Sequence, residues 1–332
     1  MQPTTITSWA LLVAKTLQNR GIDSSEVFSE VGLDPAALKQ AGARYPAIKM
    51  TRLWQRAAEL TGDECIGLEA ARYWHPTTAH ALGYTWLASD NLKEAFLRLQ
   101  RYVHIFNDIT VINIREEPGE YVVELDGDVG DLEVSIEAID AGIATLVQMC
   151  RASAGSELCP LRVELKRNLP KCAEKFSEFF KAPVQFNGDA DAVYFDYQTV
   201  ENFLPESNKE LALANELIAI DYLSRLKSSD ISIKAAKVLI DKLPDGAVTA
   251  DQVANELHLS PRTLQRRLNK ENTSFSKLMD DVRKELATTY MEATDKSVTE
   301  ITYLLGFAET STFSRAFKRW TGQSPTRFRE AI

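Results

Sequence analysis

The spacing of apolar residues changes twice along the chain, and each change predicts a different kind of structure. Trp9, Leu12, Val13, Thr16 and Leu17 keep a helical spacing that stops at Gly21. Residues 24–31 predict a second short helix, and Pro35 suits the first turn of a third. Residues 50–61 and 92–106 carry broad apolar faces, through Leu53, Trp54 and Ala57 in one and Phe96, Leu99 and Tyr102 in the other. From Ile109 the period falls to two. Ile112 and Ile114 alternate with Val111 and Asn113, Pro118-Gly119 signals a turn, and Tyr121, Val123 and Leu125 alternate with polar partners. That pattern predicts a hairpin. Residues 137–151 return to helix, and 162–166 and 193–195 read as further strands. The first part of the chain is therefore expected to be a mixed α/β domain.

From 208 to 226 the pattern is helical but apolar on two sides. Leu211, Ala214, Ile218 and Tyr222 form one stripe, and Leu213, Leu217, Ile220 and Leu223 form another. Such a helix must be covered twice, by its own domain or by a second subunit. Lys227-Ser228-Ser229-Asp230 then reads as a linker. The expected division is a sensing and dimerisation domain at 1–226, a linker at 227–231, and an all-α domain at 232–332.

Within that last domain one pattern occurs twice, at about 249–270 and 297–320. Each copy has a short helix, a turn and a second helix with cations on one face, the arrangement of a helix-turn-helix. In the first, Val253 and Leu257 are apolar, Ser260 suits an N-cap and Pro261 the first helical position. Leu264 and Leu268 then face inward, leaving Arg262, Gln265, Arg266 and Asn269 on one outer face. In the second, Ile301, Leu305 and Phe307 take the places of Val253, Leu257 and Leu259, and Phe313 and Phe317 those of Leu264 and Leu268. Gly306 stands where a positive φ is expected, in a turn one residue longer. Thr310, Ser311, Arg315 and Lys318 lie outward, and Arg315 matches Arg266. A helix over 275–292 joins the copies, with Arg283 placed to reach a phosphate or an acidic partner. Arginine and glutamine can each read a base edge through two hydrogen bonds. One cationic helix face is weak evidence, because most are solvated surface, but two equivalent faces on a duplicated pattern are stronger.

Charge sharpens this division. The chain of 332 residues has a net charge of −9, which argues against nucleic acid until it is split. Residues 231–332 hold 16 basic and 13 acidic residues, against 22 and 34 in the remainder. DNA phosphates repel the acidic part, so DNA binding belongs to the last hundred residues. Four cysteines, at 65, 150, 159 and 172, show no C-x-x-C spacing. Reduced cytosolic thiols and no metal site are expected. The N-terminus has no basic leader and Lys15 breaks its apolar run, so a cytoplasmic protein without a membrane span is expected.

The first domain offers no glycine-rich phosphate loop, paired catalytic carboxylates or nucleophile with a base, and no cofactor is expected. Its aromatic and polar cluster around Tyr73-Trp74-His75 admits two readings, plain core or a small-molecule pocket with His80, Tyr84 and Trp86 as candidates.

Several stretches resemble the AraC/XylS family of bacterial transcription regulators. They are S-P-R-T-L-Q-R-R-L, V-R-x-E-L-A at Val282 to Ala287, I-x-x-L-L-G-F at Ile301 to Phe307, and F-S-R-A-F-K-R-W-T-G-Q-S-P-T-R-F-R at Phe313 to Arg329. Residues 52–63, 81–89 and 179–186 resemble the arabinose-binding-type N-terminal domain of a subset of that family, a domain name that does not imply that arabinose binds. The resemblance implies an effector-responsive regulator that binds promoter DNA, forms a homodimer and activates through RNA polymerase. It places Arg262, Gln265 and Arg266, then Thr310, Ser311 and Arg315, at base-contacting positions. Glu309 departs from the pattern. It would repel phosphate unless it accepts from cytosine, or it caps the amides of Ser311 or Thr312. The rival readings are a ligand-independent repressor or architectural DNA-binding protein, and an enzyme. Some relatives are DNA repair methyltransferases with a reactive cysteine, but Leu158-Cys159-Pro160 has no neighbouring His or Arg to activate one. No enzyme is expected.

Overall fold

The computed structural model describes residues 3–40, 42–127, 134–226, 231–271, 273–293 and 296–330. The chain forms two compact units, residues 1–208 and 209–332.

In the first unit, β1 (Thr4–Ile6) leads into α1 (Thr7–Asn19) and α2 (Ser24–Glu30), and β2 (Arg44–Pro46) returns to pair antiparallel with β1. Then come α3 (Ala47–Thr61), α4 (Ile66–Ala71), α5 (His80–Leu87) and α6 (Leu92–Tyr102). The expected hairpin forms from β3 (Thr110–Glu117) and β4 (Glu120–Gly127), with Glu117 opposite Glu120 across the Pro118-Gly119 turn. The unit is completed by α7 (Ile136–Ala154), β5 (Arg162–Leu165), α8 (Ala173–Phe180), β6 (Val184–Phe186), β7 (Ala192–Asp196) and α9 (Tyr197–Glu201). The sheet runs β3-β4-β7-β5-β6, antiparallel except for the β5–β6 pair. Tyr121, Val122 and Val123 are all buried, so β4 is covered on both faces. Helix α7 packs against β4, α3 and α4, and carries an apolar face from Ala141 to Cys150.

An ion pair is buried beneath this layer. Asp140 on α7 and Arg167 after β5 are 1% and 8% exposed, and the guanidinium donates to the carboxylate. Arg167 also stacks over Phe176, 5.4 Å from its ring centre. Next to this pair the expectation of reduced thiols fails: Cys65 and Cys172 form a disulfide across 107 residues. Spacing along the chain could not reveal two partners that meet only when α4 approaches the loop before α8. Asp63, with a carboxylate oxygen near both sulfurs, is held by Lys175 at 2.8 Å and Arg20 at 2.7 Å. Both sulfurs are committed to each other and the carboxylate to two cations. Cys150 is buried and Cys159 exposed, and both are free thiols.

The second unit is helical: α10 (Lys209–Leu226), α11 (Ile231–Lys242), α12 (Ala250–Glu256), α13 (Pro261–Lys270), α14 (Phe275–Ala293), α15 (Val298–Leu304), α16 (Thr310–Thr321) and α17 (Pro325–Glu330). Helix α10 belongs here and not to the first unit, where the sequence placed it. It packs on α11 and α14, burying Ala212, Glu216, Ala219 and Tyr222. Tyr222 thus lies on the covered side, while Leu211 and Ile218 of its expected stripe stay 49% and 48% exposed. Of the linker expected at 227–231, residues 227–230 lie outside the described residues, and Ile231 already begins α11. Among the described residues no helix is long and apolar enough to cross a membrane.

Replacing Asp140 by alanine leaves the Arg167 charge buried without its partner. That loss is expected to cost the first unit about 3–5 kcal/mol. Thermal unfolding followed by calorimetry checks this; an unchanged first transition refutes it.

Candidate nucleic-acid interface

Both helix-turn-helix copies begin with the same local device. Thr249 Oγ1 accepts from the Gln252 amide at 3.3 Å, while the Gln252 side chain accepts from the Thr249 amide at 2.8 Å. Ser297 and Glu300 do the same at 3.1 and 2.7 Å. Each box satisfies amide donors that a helix start leaves unpaired, and so sets where the first helix begins. The signal, Thr or Ser three residues before Gln or Glu, is present in the sequence but plays no part in the motif reading above. The turns that follow carry positive φ at matching places, 54° at His258 and 67° at Gly306. Only Gly306 is also crowded: a Cβ there would lie 2.5 Å from the Gly246 carbonyl oxygen.

The second helix of each copy is fixed by what it buries. Ser260 caps α13, accepting from the Thr263 amide at 3.2 Å, and Pro261 occupies its first turn. Leu264 and Leu268 enter the core, at 1% and 0% exposure. This turns Arg262, Gln265, Arg266 and Asn269 to solvent, where with Lys270 they line a shallow surface groove. Gln265 donates to the Asn269 carboxamide oxygen at 2.9 Å, so the two amides are aligned before any base arrives. In α16, Phe313 and Phe317 are buried with their rings tilted to each other at 5.5 Å, and Phe307 and Phe328 lie against them at 5.7 and 5.2 Å. Ser311, Arg315 and Lys318 are exposed and Thr310 is half-buried at the helix start. Glu309 does not cap an amide with its side chain. Its carboxylate accepts from the Ser311 hydroxyl at 3.1 Å, which brings two expected outward groups together.

Arg283 has a different role from the one its sequence position suggested. It donates to the carbonyls of Leu305 at 2.9 Å and Gly306 at 3.0 Å, and its guanidinium lies 4.2 Å over the Phe307 ring. Partial burial pushes this guanidinium below its ordinary value. It therefore faces the second turn and ties α14 to it, instead of reaching for phosphate. A cation beside an apolar stripe reads as solvent-facing until the carbonyls it meets are known.

The comparisons with known proteins bear on this geometry. The profile of the arabinose-binding N-terminal domain of AraC transcription regulators matches residues 21–202, and that of a helix-turn-helix domain matches residues 253–331. The chain belongs to the AraC family of transcription regulators. The ornithine utilization regulator of Pseudomonas aeruginosa is 26% identical over 94% of this chain and 92% of its own. The regulator VqsM of the same species is 26% identical over 84% and 87%. The urease operon transcriptional activator of Escherichia coli is 34% identical over 36% of this chain and 40% of its own. The crystal structure of CdpR from Pseudomonas aeruginosa covers 96% of this chain at 20% identity, with a TM-score of 0.45. As an AraC-family member the chain is a DNA-binding transcription regulator, and its second unit carries the helix-turn-helix domain.

For this AraC-family chain the effector pocket expected at His80, Tyr84 and Trp86 does not form. Trp86 is fully buried, its indole N–H donates to the Met149 carbonyl at 3.0 Å, and its ring packs edge-on against Phe96. Tyr84 is 41% exposed, and His80, at φ 54°, starts α5. One turn of α5 thus points its aromatics in different directions. The same unit holds a cavity of about 430 Å³ elsewhere, between α3, α7 and the sheet. Its walls include Trp9, Trp54, Phe106, Ile139, Leu146 and Met149. These come from four separate stretches of chain, so no local pattern announces them.

Gly306→Ala would force a Cβ onto a backbone carbonyl at a positive φ. It is expected to destabilise the second unit by about 2 kcal/mol or more. Denaturant unfolding checks this, with His258→Ala, at an uncrowded position, as the milder comparison.

Proposed function

We propose that this chain is an effector-responsive activator that reads promoter DNA with two helices of one monomer. The observation that carries the reading is the pair of capped helix-turn-helix copies whose buried residues join one core, leaving Arg266 and Arg315 exposed at matching places. Arg262, Gln265 and Arg266 contact bases in one major-groove segment, and Thr310, Ser311, Arg315 and Lys318 contact the next. The cavity of the first unit supports an effector over ligand-independent repression. Effector binding shifts the population of DNA-competent states. Activation proceeds by contact with RNA polymerase at the promoter, in keeping with the activator among the relatives. The protein acts in the cytoplasm, catalyses no reaction and works as a homodimer, for which the exposed Leu211 and Ile218 on α10 offer an apolar face.

Arg266→Ala and Arg315→Ala are each expected to weaken specific binding by about 1–3 kcal/mol, mostly at one half-site each. Binding titrations on intact and half-site-scrambled promoter check this; equal binding to specific and scrambled DNA by wild type and both variants contradicts base readout. Mixing tagged and untagged full-length chains should give co-purification, and Leu211→Glu with Ile218→Glu should abolish it. Failure of the wild-type chains to co-purify removes the dimer.

A further inference from the structure

Reduced thiols are what the cysteine spacing predicts, yet two of the four meet in one bond. Cys65 stands immediately before α4 and Cys172 immediately before α8, and the disulfide joins these two helix starts. In the cytoplasm proposed above, disulfides are rare, and those that form there are usually redox-sensing or catalytic. The surroundings distinguish a brace sealed from solvent from a bond that a small thiol can reach. Cys65 is 1% exposed. Cys172 is half-buried and lines a shallow surface groove with Arg20, Asp63, Glu64, Lys171 and Lys175. Access to the bond is therefore from the Cys172 side. Of the two carboxylates in the groove, Asp63 is held by Arg20 and Lys175, at 2.7 and 2.8 Å. Glu64 accepts from the Lys171 amide at 2.7 Å. The exposed Lys171 ammonium has no carboxylate partner among the described residues, so the groove offers a spare positive charge to an anion.

The seam that the bond crosses is also held without it. Lys175 of α8 reaches Asp63, the Lys171 amide reaches the Glu64 carboxylate, and Arg167 donates to the Glu64 carbonyl at 3.4 Å. These contacts keep the two helix starts together whether or not the sulfurs are joined. The Cys172 carbonyl lies 3.5 Å from the Cys65 sulfur, placed to accept from a Cys65 thiol. A reduced pair therefore stays in register to close again. Behind the seam stands α7. Helix α4 packs on it so closely that a Cβ on Gly67 would lie 2.5 Å from the Glu137 carbonyl oxygen. Helix α8 is tied to it at the other end by Arg151, which donates to the carbonyls of Phe179 and Phe180 at 2.9 and 3.0 Å. The disulfide thus closes a layer of three helices at the end where only polar contacts otherwise hold it.

We propose that Cys172 is a site of thiol–disulfide exchange, and that the Cys65–Cys172 bond is a reversible redox switch on the α4–α7–α8 layer, opened by small carboxylate-bearing thiols. The thiolate enters the groove and attacks the Cys172 sulfur, forming a mixed disulfide there. The Cys65 sulfur leaves with the electron pair of the broken bond and takes a proton from solvent. The Asp63 carboxylate, within 4.8 Å of both sulfurs, disfavours a lasting thiolate at Cys65. A second thiolate attacks the sulfur of the bound thiol, and Cys172 leaves and is protonated in turn. Two small thiols are oxidised to one disulfide while one protein disulfide is reduced to two thiols, and the oxidised small disulfide closes the bond by the reverse steps. With the bond open, only ion pairs and hydrogen bonds hold the starts of α4 and α8, and the layer whose helix α7 forms a wall of the cavity loosens. The cytoplasmic setting belongs to the proposed function; the exchange itself does not depend on it.

The test uses the full-length protein, equilibrated with mixtures of reduced and oxidised glutathione, quenched with acid, alkylated and mapped by mass spectrometry of its peptides. Closed and open forms are expected to reach the same distribution from either starting point under native conditions. In Cys65→Ser, oxidised glutathione should place its adduct on Cys172. In Cys172→Ser, Cys65 should stay unmodified, with the exposed Cys159 as the internal control. Lys171→Glu should slow opening by glutathione about three- to tenfold and leave opening by the neutral 2-mercaptoethanol unchanged. Opening should lower the thermal transition of the first unit by about 5–15 °C, with recovery on reoxidation. A bond that opens only in denaturant, an adduct on Cys65, or an equal response of both thiols to Lys171→Glu overturns the assignment. So does an opened protein whose transition is unchanged or does not return. Promoter binding is no part of the readout, so the exchange can fail while the DNA-binding function stands, and the reverse.

Discussion

The DNA-reading part depends on one constraint: two helix-turn-helix copies, too small to bury their own apolar faces, must share a single core. Leu264 and Leu268 from one copy, and Phe313 and Phe317 from the other, meet Met279, Val282 and Leu286 of α14 in the same cluster. A helix of α14's length spans about 28 Å at 1.5 Å per residue. It therefore acts both as core and as spacer. Because interiors are close-packed, neither reading helix can turn without disturbing it. Arg283 adds a second fastening at the turn after α15, where it donates to the carbonyls of Leu305 and Gly306. Burying a cation there is tolerable because it finds two carbonyls and an aromatic face together.

The first unit is under a different constraint. Helix α7 has to cover the sheet, receive the Asp140–Arg167 pair on one side and leave a hollow on the other. Gly142 lets α7 approach β4 closely on that side, since an added Cβ would lie 3.0 Å from Leu125 Cδ2. The buried pair and the Cys65–Cys172 link lie around the same helix and the loop before α8. Both hold the wall of the cavity without entering it. Trp86 does the same from behind, by fixing the Met149 carbonyl.

Legibility in the sequence followed the length and regularity of each element. The long helices, the β3–β4 hairpin and both helix-turn-helix copies carry enough periodic positions to be read directly. Strands β1, β2 and β6 have three residues each, too few for an alternation to register. The outward positions of α13 and α16 were readable because burial of two residues four apart decides which way the others face. The cavity was not, since its wall is assembled from distant segments. His80, Tyr84 and Trp86 misled for a related reason: clustering in sequence is not clustering in space when a helix distributes neighbours around its axis. Helix α10 was assigned to the wrong unit because two apolar stripes show that a helix is covered and do not show by what.

The two reading helices share a scaffold but not a chemistry. On α13 Arg262 and Arg266 project into solvent, and the Gln265–Asn269 bond presents an amide edge already oriented for adenine. On α16 the Ser311 hydroxyl is committed to Glu309, and that carboxylate places a negative charge at the start of the helix. Releasing the hydroxyl to a base would expose the carboxylate further, so the pair favours weak contact at that end. In the proposed mode of reading, Arg315 supplies most of the base-specific attraction available to the second helix, and the exposed Lys318 serves phosphate. Specificity is therefore expected to concentrate on the half-site under α13, and tolerance on the half-site under α16. The shared core makes that asymmetry useful, because a strong contact at the first helix sets the register in which the weaker second helix must land.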